Sequence, residues 1–233
     1  IGDNMANHVQ NYITVIGNDA VMQKFANDVA NNKEEKEITN WEGKPMKILE
    51  HVSIEELSFM PKYDEDKSWD WYCDNVGAKW AHIDDGDDDY VNIVSAWSPV
   101  SEFCMKLVEH LCLIDPEVLI RHQYEDEFRN FVGIQIYWAE DEKADCDHEQ
   151  LEDTDITELM LEKFPEWEDD EFDIYDYQEA YDCVPGEVLD DFIWQWMDGQ
   201  WEDLHRPFKE KEKEGSFYGY NEKNDNYVHG LDD

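Results

Sequence analysis

The N-terminal part of the chain starts with a strand pattern that is followed by a helix pattern. Residues 11–17 (NYITVIG) are rich in β-branched side chains and end at a glycine, which predicts a strand. Asn18 or Asp19 can then act as the N-cap of a helix. The apolar residues of this helix recur with helical spacing at Val21, Met22, Phe25 and Val29.

The next part of the chain has a weaker pattern. Residues 31–47 are polar, include a glycine and a proline, and predict a loop. Residues 48–52 predict a short strand. A helix is predicted over residues 69–80, with Ser68 as its N-cap and Gly77 near its C-terminal end.

The clearest strand pattern lies at residues 90–97 (YVNIVSAW), after an acidic turn at residues 84–89. One face of this strand is expected to carry Val91, Ile93 and Ser95. The dipeptide Ser98-Pro99 then favours the start of a helix. The buried face of that helix is expected to carry Phe103, Leu107, Val108 and Leu111.

Two further strand patterns, at residues 118–124 and 131–138, are separated by a short acidic turn and predict a hairpin. The order of all these elements is strand, helix, strands, helix, strand, helix and hairpin. That order predicts an α+β fold in which an antiparallel sheet has its helices packed on one face.

The composition changes abruptly after Trp138. Residues 139–204 contain 26 acidic and two basic residues, which gives a net charge of −24. Two apolar helical faces persist in this segment, and they need a core to pack on. They consist of Ile156, Leu159, Met160 and Phe164, and of Val188, Leu189, Phe192, Ile193, Trp196 and Met197. We therefore divide the chain into an α+β domain at residues 5–138, an acidic and mostly helical extension packed on it at residues 139–204, and a polar tail at residues 205–233.

Charge restricts the classes of partner. The 233-residue chain has a net charge of −42, so it repels nucleic acids and anionic membranes and attracts basic proteins. No apolar run approaches the roughly 20 residues of a membrane span. The charge favours a basic partner, and the alternative is that it serves solubility alone.

No residue pattern for catalysis, a cofactor or a metal is recognised. The sequence has no P-loop, G-x-S-x-G, G-x-G-x-x-G or H-E-x-x-H motif. The five cysteines include no C-x-x-C pair, which predicts free thiols of an intracellular protein, without a disulfide, zinc or iron–sulfur site. The aspartates of residues 84–89 favour a solvated turn, with calcium binding as the alternative. His110 and His122 are predicted to be ordinary, partly buried histidines.

Four short motifs occur in order along the first 138 residues. They are Asn11-Tyr12-x-Thr14-Val15-x-Gly17, Phe59-x-Pro61, Trp71-x-x-x-Asn75-x-Gly77-x-Lys79-Trp80 and Ser95-Ala96-Trp97-Ser98-Pro99. Over about residues 7–138 they resemble the YubB-type ferredoxin-like domain family of bacteriophage and plasmid proteins. Val100 departs from the family, which tends to have a second proline there. The resemblance implies a ferredoxin-like α+β sandwich and a phage or mobile-element origin, and it brings no established activity.

The tryptophans of these motifs have a structural explanation. Trp71, Trp80 and Trp97 can each bury about 150–250 Å², enough to hold a helix against the sheet. We therefore expect Trp80 and Trp97 to be substantially buried at a helix–sheet junction, with Lys79 lying along a tryptophan face. The alternative is that the tryptophans line a surface groove for a ligand.

The acidic extension predicts an interaction protein. The cysteines predict an intracellular protein, and together with the origin that the resemblance implies they place it in the cytoplasm of a host cell. Its aromatic side chains alternate with carboxylates and can supply contacts that charge alone cannot. The predicted partner-binding residues are Glu166, Trp167, Glu168, Asp169, Asp170, Glu171, Asp173, Tyr175, Asp176, Tyr177, Glu179 and Asp182. The expected partner is a basic host protein, and a DNA-binding protein is the specific case in which the acidic surface mimics nucleic acid. One alternative is a structural or oligomerising protein whose charge only gives solubility, and another is an enzyme of unknown chemistry.

Overall fold

A computed structural model describes residues 7–41, 43–163 and 186–213 of the chain. Its strands are β1 His8–Ile16, β2 Lys33–Thr39, β3 Pro45–His51, β4 Lys79–Gly86, β5 Tyr90–Ala96, β6 Leu119–Asp126, β7 Phe131–Glu140 and β8 Lys143–Glu152. Its α-helices are α1 Asp19–Phe25, α2 Ser68–Asn75, α3 Ser101–Leu111, α4 Asp153–Lys163 and α5 Gly186–Lys213. A π-helical turn, Ala26–Ala30, continues α1, and two 3-10 turns lie at Ile54–Glu56 and Glu65–Lys67.

The main sheet has six antiparallel strands in the order β4-β5-β1-β6-β7-β8. The prediction of an α+β fold with an antiparallel sheet is therefore confirmed, as is the hairpin that became β6 and β7. The predicted loop at residues 31–47 is wrong, because β2 and β3 pair with each other as a separate two-stranded sheet. The sequence pattern did not predict β2 because nearly all of its side chains are exposed and most are charged, so it has no apolar face.

The main core lies between α1 and α3 and one face of the six-stranded sheet. Phe25 of α1 and Phe103 and Leu107 of α3 are fully buried against Ile13 and Ile120 of the central strands. The predicted inward face of β5 is confirmed, because Val91, Ile93 and Ser95 are buried. Asn18 caps α1 as predicted: its side-chain oxygen accepts the backbone N–H groups of Ala20 and Val21.

Helix α5 covers part of the opposite face of the sheet, so the complete chain has helices on both faces. Ile193, Met197 and Trp201 are four residues apart, which places them on one helical face, and all three are buried. Trp201 and Phe208 pack with Leu119, Ile134 and Ile136 of β6 and β7.

Residues 139–152 belong to the sheet. Strand β7 continues past Trp138 to Glu140, and β8 pairs with it over all ten positions from Glu140↔Lys143 to Phe131↔Glu152. The sequence pattern did not reveal β8 because its side chains are polar and the two-residue turn before it, Asp141-Glu142, lacks the usual glycine or asparagine. Both turn residues have positive φ, as a tight hairpin turn of this twist requires.

Two predicted helices have different bounds in the structure. The helix that was expected over residues 69–80 ends at Asn75, Gly77 takes φ +88°, and Trp80 lies on strand β4. The helix that was expected to start at Ser98-Pro99 starts at Ser101. In the intervening turn the backbone N–H of Val100 donates to the side chain of Asn11 (3.0 Å), which ties the start of α3 to β1.

Candidate interaction surface

All twelve predicted partner-binding residues, from Glu166 to Asp182, lie outside the described residues. The described part of the acidic extension consists of β8, α4 and α5. The carboxylates of β8 and α5 differ in what surrounds them.

Strand β8 carries a row of three carboxylates, Asp145, Asp147 and Glu149, which we call the β8 row. Side chains two positions apart along a strand share a face, so the three lie on the side of the sheet that α5 covers. All three are exposed, and within the described residues no cationic side chain lies within salt-bridge distance of them. The nearest polar contacts are local, since the Asp145 and Asp147 oxygens accept the backbone N–H of the next residue.

Two carboxylates of α5 are instead paired with arginines of the sheet and its turn. Asp198 pairs with Arg121 of β6 (2.5 Å), and Asp190 pairs with Arg129 (2.6 Å). Arg129 also contacts Glu125 (3.0 Å), whose pKa is raised by burial. These ion pairs fasten α5 to the sheet and leave less of its charge for a partner.

The β8 row lies on a free sheet edge. Strand β8 is the last strand of the sheet, and within the described residues it pairs with β7 alone. An edge strand has backbone N–H and C=O groups that face away from its neighbour and can pair with an added strand. Four backbone N–H groups of this strand already donate to carboxylates: those of Ala144, Cys146, His148 and Glu152, to Glu109, Asp145, Asp147 and Asp155. An added strand therefore has to displace these local contacts.

The tryptophans expected at a helix–sheet junction have two different environments. Trp71 is 6% exposed, and its N–H donates to the Lys62 carbonyl (3.2 Å), so the structural role holds for this residue. The prediction is wrong for Trp80 and Trp97, which are 63% and 42% exposed. Both have positive φ, +49° and +65°, a conformation that costs a residue other than glycine roughly 1–2 kcal/mol.

A cleft of about 540 Å³ lies between β3, β4 and α2, and several of its lining side chains already have hydrogen-bond partners. The Tyr72 hydroxyl donates to Glu55 (2.7 Å), and burial raises the pKa of Tyr72. A ring nitrogen of His51 lies 3.0 Å from the Ala30 carbonyl, and burial lowers the pKa of His51. Tyr72 is therefore held protonated and His51 neutral near pH 7.

The two histidines expected to be partly buried also differ. His110 is partly buried and contacts Asp28 (2.6 Å). His122 is fully buried in the main core, where its ring lies 3.0 Å from the Asn11 side-chain oxygen and 3.2 Å from that of Gln135. Burial lowers the pKa of His122 to about 3, so the ring is neutral and serves the polar network of the central strands.

The described thiols and carboxylates form no recognisable metal centre. Cys73, Cys104, Cys112 and Cys146 are free thiols, and Cys183 lies outside the described residues. Within the described ranges no three His, Cys, Asp or Glu side chains come together in a way that could hold a metal ion. In the acidic turn, the Tyr90 hydroxyl donates to Asp85 (3.1 Å) and the Asn31 amide to Asp88 (3.2 Å).

Comparison of the chain with protein-family models, with curated proteins and with solved structures gave no match. Among the described helices, none has both the length and the apolar character needed to cross a membrane.

Proposed function

We propose that this protein is an interaction protein that binds a basic partner protein through its acidic surface. The observation that carries the proposal is the β8 row: three carboxylates without salt bridges among the described residues, on an unbroken ten-residue edge strand. The net charge of −42 supports it, since such a field attracts a basic protein from a distance and repels nucleic acid.

In this proposal the partner supplies an extended basic segment that pairs with β8. Backbone hydrogen bonds to the free edge hold the segment, and alternate Lys or Arg side chains face Asp145, Asp147 and Glu149. Exposed ion pairs contribute only about 0.2–1 kcal/mol each. Charge therefore sets the rate of association and the choice of partner, and the backbone pairing supplies most of the affinity.

Nucleic-acid mimicry is the more specific form of the proposal. Alternate residues of a strand are about 6.8 Å apart, whereas one DNA strand places a phosphate every 3.4 Å along the axis. The β8 row thus has about half the linear charge density of a DNA strand. A DNA-binding partner would require the segment from Glu166 to Asp182 to add a second acidic row beside it.

The biological setting is also part of the proposal. A six-stranded antiparallel sheet with helices is compatible with the ferredoxin-like class that the four sequence motifs resemble. On that basis we infer a phage or mobile-element protein that acts in the cytoplasm of its host. The partner would then be a basic host protein.

The test uses a labelled peptide in which lysine alternates with valine, titrated against the full chain at low and high salt. The Debye length, over which charges act on each other, falls from about 10 Å at 0.1 M to about 3 Å at 1 M salt, so binding should weaken as salt rises. The triple variant Asp145→Asn, Asp147→Asn, Glu149→Gln should bind at least tenfold more weakly. Amide hydrogen exchange should show new protection along β8 in the complex.

A matched control removes three exposed carboxylates elsewhere: Glu56→Gln, Glu65→Gln and Asp66→Asn. It changes the net charge equally and should retain most of the affinity. Equal weakening in both triple variants would show that only net charge matters, and the edge-strand proposal would be wrong. If the β8 triple variant captured the same basic host proteins as the parent chain does, the edge-strand proposal would also be wrong.

A further inference from the structure

Three exposed tryptophans and a lysine form a compact group at the other edge of the sheet. We call Trp69, Trp80, Trp97 and Lys79 the tryptophan cluster. The indoles of Trp80 and Trp97 are 5.0 Å apart between ring centroids and tilted by 47°. The Lys79 ammonium group lies over the Trp69 ring and 5.4 Å from the centre of the Trp97 ring.

The backbone on both sides of the cluster is held in place. The backbone N–H of Trp97 donates to the Asn7 carbonyl (3.0 Å), and the Ser95 hydroxyl donates to the Ser98 carbonyl (2.8 Å). The Ser98 hydroxyl in turn donates to the Gly77 carbonyl (3.0 Å). The positive φ of Trp97 is therefore imposed by its surroundings, and it directs a large apolar side chain toward water.

Core packing does not explain Trp80 and Trp97. Glycine or asparagine suits a left-handed backbone position better than tryptophan, and both indoles leave much of their surface in contact with water. Strained residues that carry exposed aromatic rings are typical of binding sites. Trp69, at 58% exposed, adds a third ring to the same patch.

The contact of the indoles with the Lys79 ammonium group indicates the chemistry of the ligand. The face of an indole is electron-rich and attracts cations, and the tryptophan ring is the best of the aromatic side chains for this contact. Here the cation is the chain's own Lys79. The net charge of −42 favours a cationic ligand further and opposes a nucleotide, although nucleotide bases also stack on indoles.

We propose that the tryptophan cluster is a second binding site and that its ligand is an arginine or lysine side chain of a protein segment. The incoming cation stacks on the exposed Trp80 ring or takes the place of the Lys79 ammonium group. Lys79 thus competes with the ligand and weakens binding. This site stands independently of the β8 row, because β4 and β8 are opposite edges of the sheet.

The experiment titrates the full chain with a short peptide in which arginine alternates with glycine, followed by the indole N–H signals in NMR spectra. The matched probe replaces each arginine by citrulline, which has nearly the same shape but no charge. High salt is used throughout to suppress unspecific attraction. We expect the arginine peptide to shift the Trp80 and Trp97 signals and to bind at least tenfold more tightly than the citrulline peptide.

Three variants separate binding from folding. Trp80→Asn keeps a residue that tolerates positive φ, so it should leave the melting temperature unchanged or higher and weaken arginine binding at least tenfold. Trp41→Asn is the control, because Trp41 is 91% exposed and has no positive φ; it should bind as the parent does. Lys79→Met removes the internal cation and should strengthen binding severalfold.

Several results would overturn the proposal. Equal affinity for the arginine and citrulline peptides would mean that charge is not recognised. Undiminished binding to a folded Trp80→Asn variant would place the peptide elsewhere. Tight binding of a neutral glucose oligosaccharide that depends on Trp80, in the absence of arginine binding, would make the cluster a sugar site. In the triple variant of the β8 row the arginine peptide should shift the Trp80 and Trp97 indole signals as it does in the parent, so failure of one proposal is distinguishable from failure of the other.

Discussion

The two edges of the six-stranded sheet are protected in different ways. Strand β4 is irregular: its register against β5 shifts between Lys79 and His82 and again between Ile83 and Asp85. Strand β8 pairs with β7 without interruption over ten positions. A bulge bends an edge strand away from other chains, and this limits pairing at β4. The carboxylates of β8 oppose pairing with acidic segments and leave a basic segment as the favoured partner.

This difference determines what each edge presents to a partner. The irregularity at the start of β4 includes the positive φ of Trp80. It places the Trp80 indole in solvent and interrupts the alternation of inward and outward side chains that a regular strand has. The regular register of β8 keeps Asp145, Asp147 and Glu149 in line on one face. One edge therefore offers exposed aromatic rings, and the other offers a row of charges on a strand that, within the described residues, pairs with β7 alone.

The largest expected effect tests how β4 is supported. Trp71 of α2 is buried behind β4 and makes edge-to-face contacts with Tyr63 and Tyr72, with 5.3 Å between ring centroids in each pair. Trp71→Ala should lower the free energy of unfolding by about 3–5 kcal/mol, because a buried tryptophan leaves a large cavity. Trp80→Ala should change it by less than about 0.5 kcal/mol. Urea unfolding of both variants checks this, and similar losses would contradict the distinction between the two tryptophans.

The second prediction concerns the support of the β8 side of the sheet. A Cβ atom on Gly133 of β7 would come within 2.4 Å of the Tyr124 ring, whose hydroxyl donates to Gln150 of β8 (2.7 Å). Gly133→Ala should therefore cost about 1–3 kcal/mol through overpacking and increase amide exchange in β8.

Gly199 provides the control, since nothing lies within 4 Å of its Cβ position in the middle of α5. Gly199→Ala should be neutral or stabilise the protein by about 0.5–1 kcal/mol, because glycine is unfavourable inside a helix. Thermal unfolding and amide exchange measure both variants. A stable Gly133→Ala protein with normal β8 protection would show that the Tyr124 contact does not position this edge.

The third predicted effect should reach both edges equally, because it acts on the centre of the sheet. His122 of β6 has a pKa of about 3 in the folded chain and about 6.5 when unfolded, so between these values the unfolded chain binds more protons. The contribution of His122 to stability is complete above pH 6.5 and is lost as the pH falls toward 3. The loss approaches about 1.4 kcal/mol per pH unit.

Unfolding measured from pH 7 to pH 4 checks the His122 prediction. His122→Gln keeps hydrogen-bonding groups and removes the titration, so its stability should depend less steeply on pH. His82→Gln, at an exposed position of β4, should follow the parent. If stability depended on pH equally steeply in the parent and in His122→Gln, the role of this histidine would be contradicted. If acid increased amide hydrogen exchange at one edge of the sheet alone, its action on the centre of the sheet would be contradicted.

The sequence pattern predicted those helices and strands that have one apolar and one polar side. Strand β5 has alternating buried and half-buried positions, and the predicted buried face of α3 is observed in full at Phe103, Leu107, Val108 and Leu111. Strands β2 and β8 were missed because most of their side chains are polar and exposed, so neither strand has a continuous apolar face. The exposure of Trp80 was missed because a positive φ at a tryptophan leaves no mark in the sequence.

The sequence by itself determined the net charge, the classes of partner that this charge opposes, and the central strands and helices that form the core. These properties depend on composition and on the period of apolar residues, both of which are local. Only the tertiary structure decided which carboxylates are paired by arginines and which have no salt bridge in the part of the chain that the structure describes. It also decided which tryptophans are buried. Both depend on contacts between residues far apart in the chain, such as Arg121 with Asp198, and on the register of β4 against β5.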